Sequence, residues 1–174
     1  MKVTREKRAE NRGKIVEAAG RLFRRDGPDA VSVADVTREA GLTHGGFYGH
    51  FDSKEALLGA AAKTALIEAA ARIDRVIETG GGWPQIVKGY LSSRHLEDCE
   101  HGCTIASLSG DVSRRPPAVQ QAFAEGLEIY LETIAVATGS RTQAIADTAT
   151  MVGALVMARA IKEGDAALGD EILA

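Results

Sequence analysis

Apolar residues return along this chain at intervals of three and four, the spacing of one face of a helix, and the strict alternation of a half-buried strand is missing. Ile15, Ala19 and Leu22 form a first stripe, with Val16 and Phe23 beside it. It stops at Gly27-Pro28, a glycine followed by a residue that cannot continue a helix. Ser32-Val33-Ala34-Asp35 reads as a helix start, because the serine oxygen can accept an orphan backbone N–H and an acid occupies the first turn. Gly41 ends that short helix, and Thr43 can cap another that runs to about His50. Asp52-Ser53-Lys54-Glu55 resembles a capping box and opens a long helix with the stripe Leu58, Ala62, Ala65, Ala69, Ile73 and Val76.

Gly80-Gly81-Gly82 breaks the pattern, and Trp83-Pro84 begins the next element. The spacing predicts a helix from Pro84 to Asp98 and a short one from Thr104 to Val112. After Pro116-Pro117, the set Val119, Phe123, Leu127, Tyr130 and Ile134 marks another helix, whose opposite stripe of Gln121, Glu125, Glu128 and Glu132 must face water. Gly139 ends it, a long helix from Thr142 to Lys162 follows, and a stub from Asp165 to Leu173 closes the chain. The expected class is all-α.

Composition and charge narrow the field. With 174 residues, 45% apolar and 26% charged, the chain suits one domain, or a small one joined to a medium one, with a real core. A net charge of −3 excludes a uniformly basic nucleic-acid coat. The average conceals an asymmetry, since residues 1–52 carry ten Lys/Arg against eight Asp/Glu, whereas residues 53–174 carry eleven against sixteen. Residues 1–25 alone hold nine basic and three acidic side chains, so an anionic partner is expected at that end only. The opening residues lack the apolar core of a secretory signal. The longest uncharged apolar stretch, between Asp147 and Arg159, falls short of the roughly 20 residues of a membrane span, so no membrane partner is expected. Two cysteines make no disulfide framework, which points to a cytoplasmic setting. Nucleophile–base motifs, phosphate loops and metal-protease signatures are missing, so neither enzymatic activity nor a cofactor is expected.

Val33 to His50 is the informative stretch. Two short helices joined by Ala40-Gly41-Leu42-Thr43 make a helix-turn-helix. The second reads T-H-G-G-F-Y-G-H, and each glycine costs a helix interior roughly 1 kcal/mol relative to alanine. Glycine lets a backbone approach another surface closely, here the floor of the DNA major groove. Thr43, His44, Tyr48 and His50 supply hydrogen-bonding groups, with no Arg or Lys to read guanine, so affinity would rest largely on phosphate contacts. Phe47 and Phe51 anchor the helix beside Phe23 and Val36, and Lys54 stands in the first turn of the long helix, where backbone N–H groups favour a phosphate.

The run from Ala34 to Leu58, A-D-V-T-R-E-A-G-L-T-H-G-G-F-Y-G-H-F-D-S-K-E-A-L-L, resembles the DNA-binding segment of the TetR/AcrR family of bacterial transcriptional regulators, and the likeness reaches back to about Arg8. The resemblance implies a three-helix N-terminal domain over residues 1–52, joined by a long helix to a helical ligand-binding and dimerisation domain over 53–174. It implies a homodimer that binds double-stranded DNA, usually as a repressor, and releases a palindromic operator when a small-molecule effector occupies the second domain. Carried over by position, the DNA contacts fall on Ser32, Val33, Thr43, His44, Gly45, Tyr48, His50 and Lys54.

In the second domain the residues must speak for themselves. Candidate pocket residues are Trp83, Tyr90, His95, Cys103, Phe123, Tyr130 and Met151, and their sparse polarity favours a largely apolar effector. Thr148 to Ala158 is uncharged all round, so one side of its helix is expected to meet a second subunit through Met151, Gly153, Ala154, Leu155 and Ala158. An alternative treats His95, Cys99, His101 and Cys103 as a thiol- or metal-responsive sensor, although their spacing matches no common zinc module.

Overall fold

The computed structural model describes residues 4–174, with the backbone alone at His44. Ten helices and no strand are found among the described residues: α1 (Arg5–Asp26), α2 (Val33–Glu39), α3 (His44–Phe47), α4 (Lys54–Glu78), α5 (Trp83–Tyr90), α6 (Ser93–Glu97), α7 (Thr104–Val112), α8 (Pro117–Thr138), α9 (Arg141–Ile161) and α10 (Ala166–Leu173). The all-α expectation holds.

Side-chain oxygens start most of the long helices. Thr4 accepts the N–H of Lys7 at α1, and Ser140 accepts that of Gln143 at α9. At α2, Ser32 and Asp35 form a reciprocal capping box. The capping box expected from Asp52 is shifted by one residue. Ser53 is the cap of α4, and its hydroxyl accepts the N–H of Ala56.

Two predicted elements differ from expectation. The Pro84–Asp98 helix is divided into α5 and α6, because Ser92 begins a new helix by capping the N–H of His95. The helix expected to reach His50 holds helical geometry only to Phe47. Beyond it, the N–H of His50 turns back to the carbonyl of Phe47 at 2.8 Å, as the glycine-rich sequence offers little to extend a helix.

The main core runs without a break from α1 into α8 and α9, so packing does not divide at residue 52. Ile15, Phe23, Val36, Phe47 and Phe51 belong to the same buried cluster as Leu57, Leu66, Leu108, Phe123 and Ile134. A second, smaller cluster joins Leu96, Leu155, Ala158 and Leu173. The spine of the molecule is the contact of α4 with α8. At Gly126 a methyl group would lie 3.0 Å from the Cα of Lys63 and 3.1 Å from the Cβ of Leu66, so only glycine lets the two helices come this close.

Helix α9 is long and apolar enough to cross a membrane by length and composition alone, which its uncharged stretch did not lead one to expect. In the fold it is a partly covered core helix: Met151, Leu155 and Ala158 are buried, while Ile145, Val156 and Met157 are exposed.

Gly126→Ala is expected to lower the denaturation midpoint, with a net loss of roughly 1 kcal/mol once alanine's better helix propensity is set against the overpacking. Urea denaturation of the two proteins checks this, and an unchanged or raised midpoint would refute the close approach.

Candidate nucleic-acid interface and effector cavity

Gly41, with φ of +67°, turns the chain between α2 and α3, a conformation that an L side chain rarely adopts. Phe47, fully buried, then anchors α3 against Phe51, whose ring stacks 5.9 Å away. This anchoring fixes which face of α3 is outward. Thr43, Gly45 and Tyr48 are exposed, and the Tyr48 ring stands edge-on to Phe47 at 5.2 Å. Gly45 has open space where a Cβ would lie, and Gly46 and Gly49 meet nothing closer than ordinary contact. No internal contact therefore requires these glycines.

The remaining DNA-contact candidates divide. Ser32 is the cap of α2, and Val33 is half-buried against the core. His50 is half-buried, and its pKa is lowered by burial and by the adjacent guanidinium groups of Arg8 and Arg12, which keeps it neutral near pH 7. Lys54 does not extend outward as a phosphate ligand. Its ammonium donates to the carbonyls of Pro28 at 2.8 Å and Val31 at 3.1 Å, closing the loop that carries α2. The sequence reading omitted Arg8 and Arg12. Arg8 donates to the carbonyl of Gly49 at 2.5 Å, and Arg12 stacks over the Phe51 ring at 4.8 Å, so two cations of α1 stand beside α3. The basic excess of residues 1–25 was the available signal.

A cavity of about 670 Å³ opens among α4 to α8. Of the seven pocket candidates, Tyr90, His95, Cys103 and Tyr130 line it. Trp83, Phe123 and Met151 do not: Phe123 and Met151 are buried packing residues, and Trp83 packs against the core. Leu66, Ala69, Ile73 and Ile86 give the cavity an apolar floor. Its walls are more polar than expected, with Arg72, Gln85, Arg94, Asp98 and His101 contributed by turns and by faces of helices that the apolar stripe conceals. The Tyr90 hydroxyl is buried beside the Cys103 thiol, and burial, then that thiol, pushes its pKa up.

The turn from Asp98 to Cys103 forms one wall. His95 donates from Nδ1 to the carbonyl of Tyr90 at 2.7 Å and accepts the N–H of Cys103 on Nε2 at 3.0 Å, an arrangement open only to the neutral ring. Its pKa is lowered accordingly, chiefly by burial. Arg159 of α9 donates to the carbonyls of Leu96 and His95 and to the hydroxyl of Ser107. His101 and its own N–H hold the Asp98 carboxylate at 3.0 Å. With both nitrogens of His95 and the Nδ1 of His101 so engaged, the metal-sensor alternative is not favoured, and Cys99 and Cys103 are free thiols. Among the described residues no three His, Cys, Asp or Glu side chains gather to hold a metal ion.

The same turn grips α1. The carboxylate of Glu100 meets Arg21 at 3.3 Å and Arg25 at 3.6 Å, and its carbonyl takes the Nε–H of Arg24 at 2.8 Å. A second link joins Arg115 to Asp29 at 2.6 Å.

The subunit-contact candidates also need correction. Met151, Ala154, Leu155 and Ala158 are buried within this chain, where α9 packs on α7, α8 and α10, and they offer a second copy little surface. Gly153 is half-exposed. The outward apolar residues of this region are Ile129, Val136, Ile145, Val156 and Met157.

A helix-turn-helix ahead of a helical bundle with its own cavity is the architecture of a class of solved bacterial regulators. The fold aligns with the reduced form of E. coli NemR at a TM-score of 0.74 and 19% identity, covering 94% of this chain and 91% of that one. It aligns with a TetR-family regulator from Agrobacterium tumefaciens at 0.72 and 22%, covering 95% of each. Residues 15–61 match the family model described as bacterial regulatory proteins, tetR family. The uncharacterised HTH-type transcriptional regulator YfiR of Bacillus subtilis is 33% identical over 101 residues, which cover 58% of this chain and 46% of that protein. The HTH-type transcriptional regulator TtgR of Pseudomonas putida is 40% identical over 57 residues, covering 33% and 27%. The chain thus spans under half the length of these curated relatives. By residues 15–61 it is similar to the tetR family.

Lys54→Met is expected to destabilise the fold by about 1–3 kcal/mol, since two loop carbonyls lose a charged donor. A denaturation midpoint equal to that of the native chain would instead return Lys54 to the interface. His95→Ala is expected to cost a similar amount by orphaning the Cys103 N–H and the Tyr90 carbonyl. Because folding depresses the His95 pKa, the unfolded chain binds the proton more readily, and this contribution is lost as pH falls below about 6.5. The stability difference between the native chain and His95→Ala should therefore shrink on going from pH 7.5 to pH 5.5, as measured by chemical denaturation at each pH.

Proposed function

We propose that this chain is a dimeric, cytoplasmic transcriptional regulator, acting as a repressor that binds a palindromic operator and leaves it when a small molecule enters the α4–α8 cavity. The observation that carries the reading is the outward face of α3. It offers Thr43, Gly45 and Tyr48 around glycines that no internal contact requires, with Arg8 and Arg12 at its side. Base edges would meet Thr43, Gly45 and Tyr48, with His44 at the head of α3. Phosphates would meet the cations of α1 and the first turn of α2 at Ser32 and Val33.

A two-fold dimer supplies two such faces about 34–36 Å apart, the separation of successive major grooves. Support for a second copy comes from the apolar residues that α8 and α9 leave exposed, among them Val136 at 80% and Met157 at 54%. An effector is supported by the cavity, whose volume falls within the roughly 300–1,000 Å³ usual for small-molecule sites. Two solved proteins of this fold carry small molecules, a Bacillus subtilis FadR with stearoyl-CoA and a Saccharomonospora viridis regulator with choline. The coupling route is the 98–103 turn, which borders the cavity on one side and holds Arg21, Arg24 and Arg25 on the other. An effector that fits only one setting of this turn and of α4 shifts the pair of DNA-facing units toward that setting.

Selection from a random pool of duplexes, followed by fluorescence anisotropy with the enriched sequence, tests the reading. A palindromic site should emerge, with log affinity falling linearly as log salt rises. Tyr48→Ala should weaken binding at least about tenfold, within the range for a lost base contact, while the denaturation midpoint stays put. Enrichment of nothing above a scrambled pool would overturn the proposal.

A further inference from the structure

The α4–α8 cavity does not end at the 98–103 turn. A second cleft of about 560 Å³ lies between α1 and α4, and Arg72, His101, Gly102 and Thr104 line both spaces, so the two adjoin there. The cleft is rich in guanidinium groups. Arg12 is stacked on Phe51, and Arg21 is paired with Glu17, Glu39 and Glu100. Arg24 and Arg72 remain. Arg24 makes its hydrogen bond to the Glu100 carbonyl alone, and neither arginine has an ion-pair partner among the described residues.

The two act on each other, and burial together with Arg72 lowers the pKa of Arg24. The Glu68 carboxylate, one turn ahead of Arg72 on α4, offsets part of this charge without reaching either group as an ion pair. Asp98, the acid on the cavity side, is already held by His101. Two guanidinium groups that line one cleft, Arg24 half-buried and Arg72 exposed, where that cleft adjoins a cavity with an apolar floor, are an arrangement that an anion completes.

We infer that the effector is an amphiphile with a single anionic head, a carboxylate or a phosphate monoester, whose apolar body fills the α4–α8 cavity while the head sits between Arg72 of α4 and Arg24 of α1. This rests on the reading of the cavity as the effector site and names its ligand class. It also assigns a task to the head group. Arg24 belongs to the DNA-facing domain and Arg72 to the long helix behind it, so the anion draws on both at once.

Titration calorimetry of the full chain with four ten-carbon probes tests the inference: decanoate, decyl phosphate, decan-1-ol and decylammonium, each below its micelle concentration. At least one anion should bind about tenfold or more tightly than the alcohol, as expected for a charge-assisted contact, and decylammonium should bind most weakly. The better anion identifies the head group. Arg72→Gln should bring that anion to within about twofold of the alcohol while leaving the alcohol's affinity unchanged, and Arg24→Gln, which keeps a donor for the Glu100 carbonyl, should do the same. Equal binding of anions and alcohol overturns the anionic subsite but keeps the cavity as an effector site. Binding of none of the four overturns both, and leaves DNA binding to be judged by its own selection experiment.

Discussion

Arg159 spends its guanidinium on the carbonyls of His95 and Leu96 and on the hydroxyl of Ser107, and much of the second domain depends on that clasp. Those carbonyls are the free end of α6, and without a donor they would be buried unsatisfied. With it, α6 is fixed to α9, His95 is held where both ring nitrogens find backbone partners, and the turn to Cys103 closes over the cavity. Gly102 fits beneath this clasp because it has no side chain. A methyl group there would lie 2.9 Å from the Arg159 guanidinium and 2.5 Å from the carbonyl of Asp98. A small, rigid wall of backbone results, satisfied on its inner side by α9.

Rigidity in that wall matters because its outer side holds α1. Glu100 presents a carboxylate to Arg21 and Arg25 and a carbonyl to Arg24. Partly exposed ion pairs of this kind contribute little to stability, typically below about 1 kcal/mol each. Their value here is positional, since they join the element that borders the cavity to the helix that carries Arg8 and Arg12 beside α3. The core is continuous through the same region, from α1 and α3 into α4, α7 and α8.

Much of the helix-turn-helix was legible in the sequence because its determinants are local. A glycine at positive φ between α2 and α3, the Ser32–Asp35 capping box and the Phe47–Phe51 pair act over a few residues, and each declares itself by residue type and spacing. Lys54 differs for the opposite reason. Its position at the start of α4 suggests a phosphate, yet two carbonyls more than twenty residues earlier in the chain claim its charge. Arg12 was passed over because its aromatic partner is on another element. The Pro84–Asp98 segment looked continuous since its apolar spacing is, and the stop at Leu91 followed by a new start at Ser92 is a matter of backbone capping.

The sequence by itself determined most of the helices, the glycine-rich turn and the likeness of residues 15–61 to the tetR family, since periodicity, caps and a specific run of residues are properties of neighbours along the chain. Only the tertiary structure decided which side of α9 is core and which is surface. A helix uncharged all round gives no clue to its orientation, and α7, α8 and α10 chose Met151, Ala154, Leu155 and Ala158 for burial. It also decided that Arg24 and Arg72 line one cleft beside the cavity. Arg24 and Arg72 are forty-eight positions apart, and their like charges become neighbours only when α1 is packed against α4.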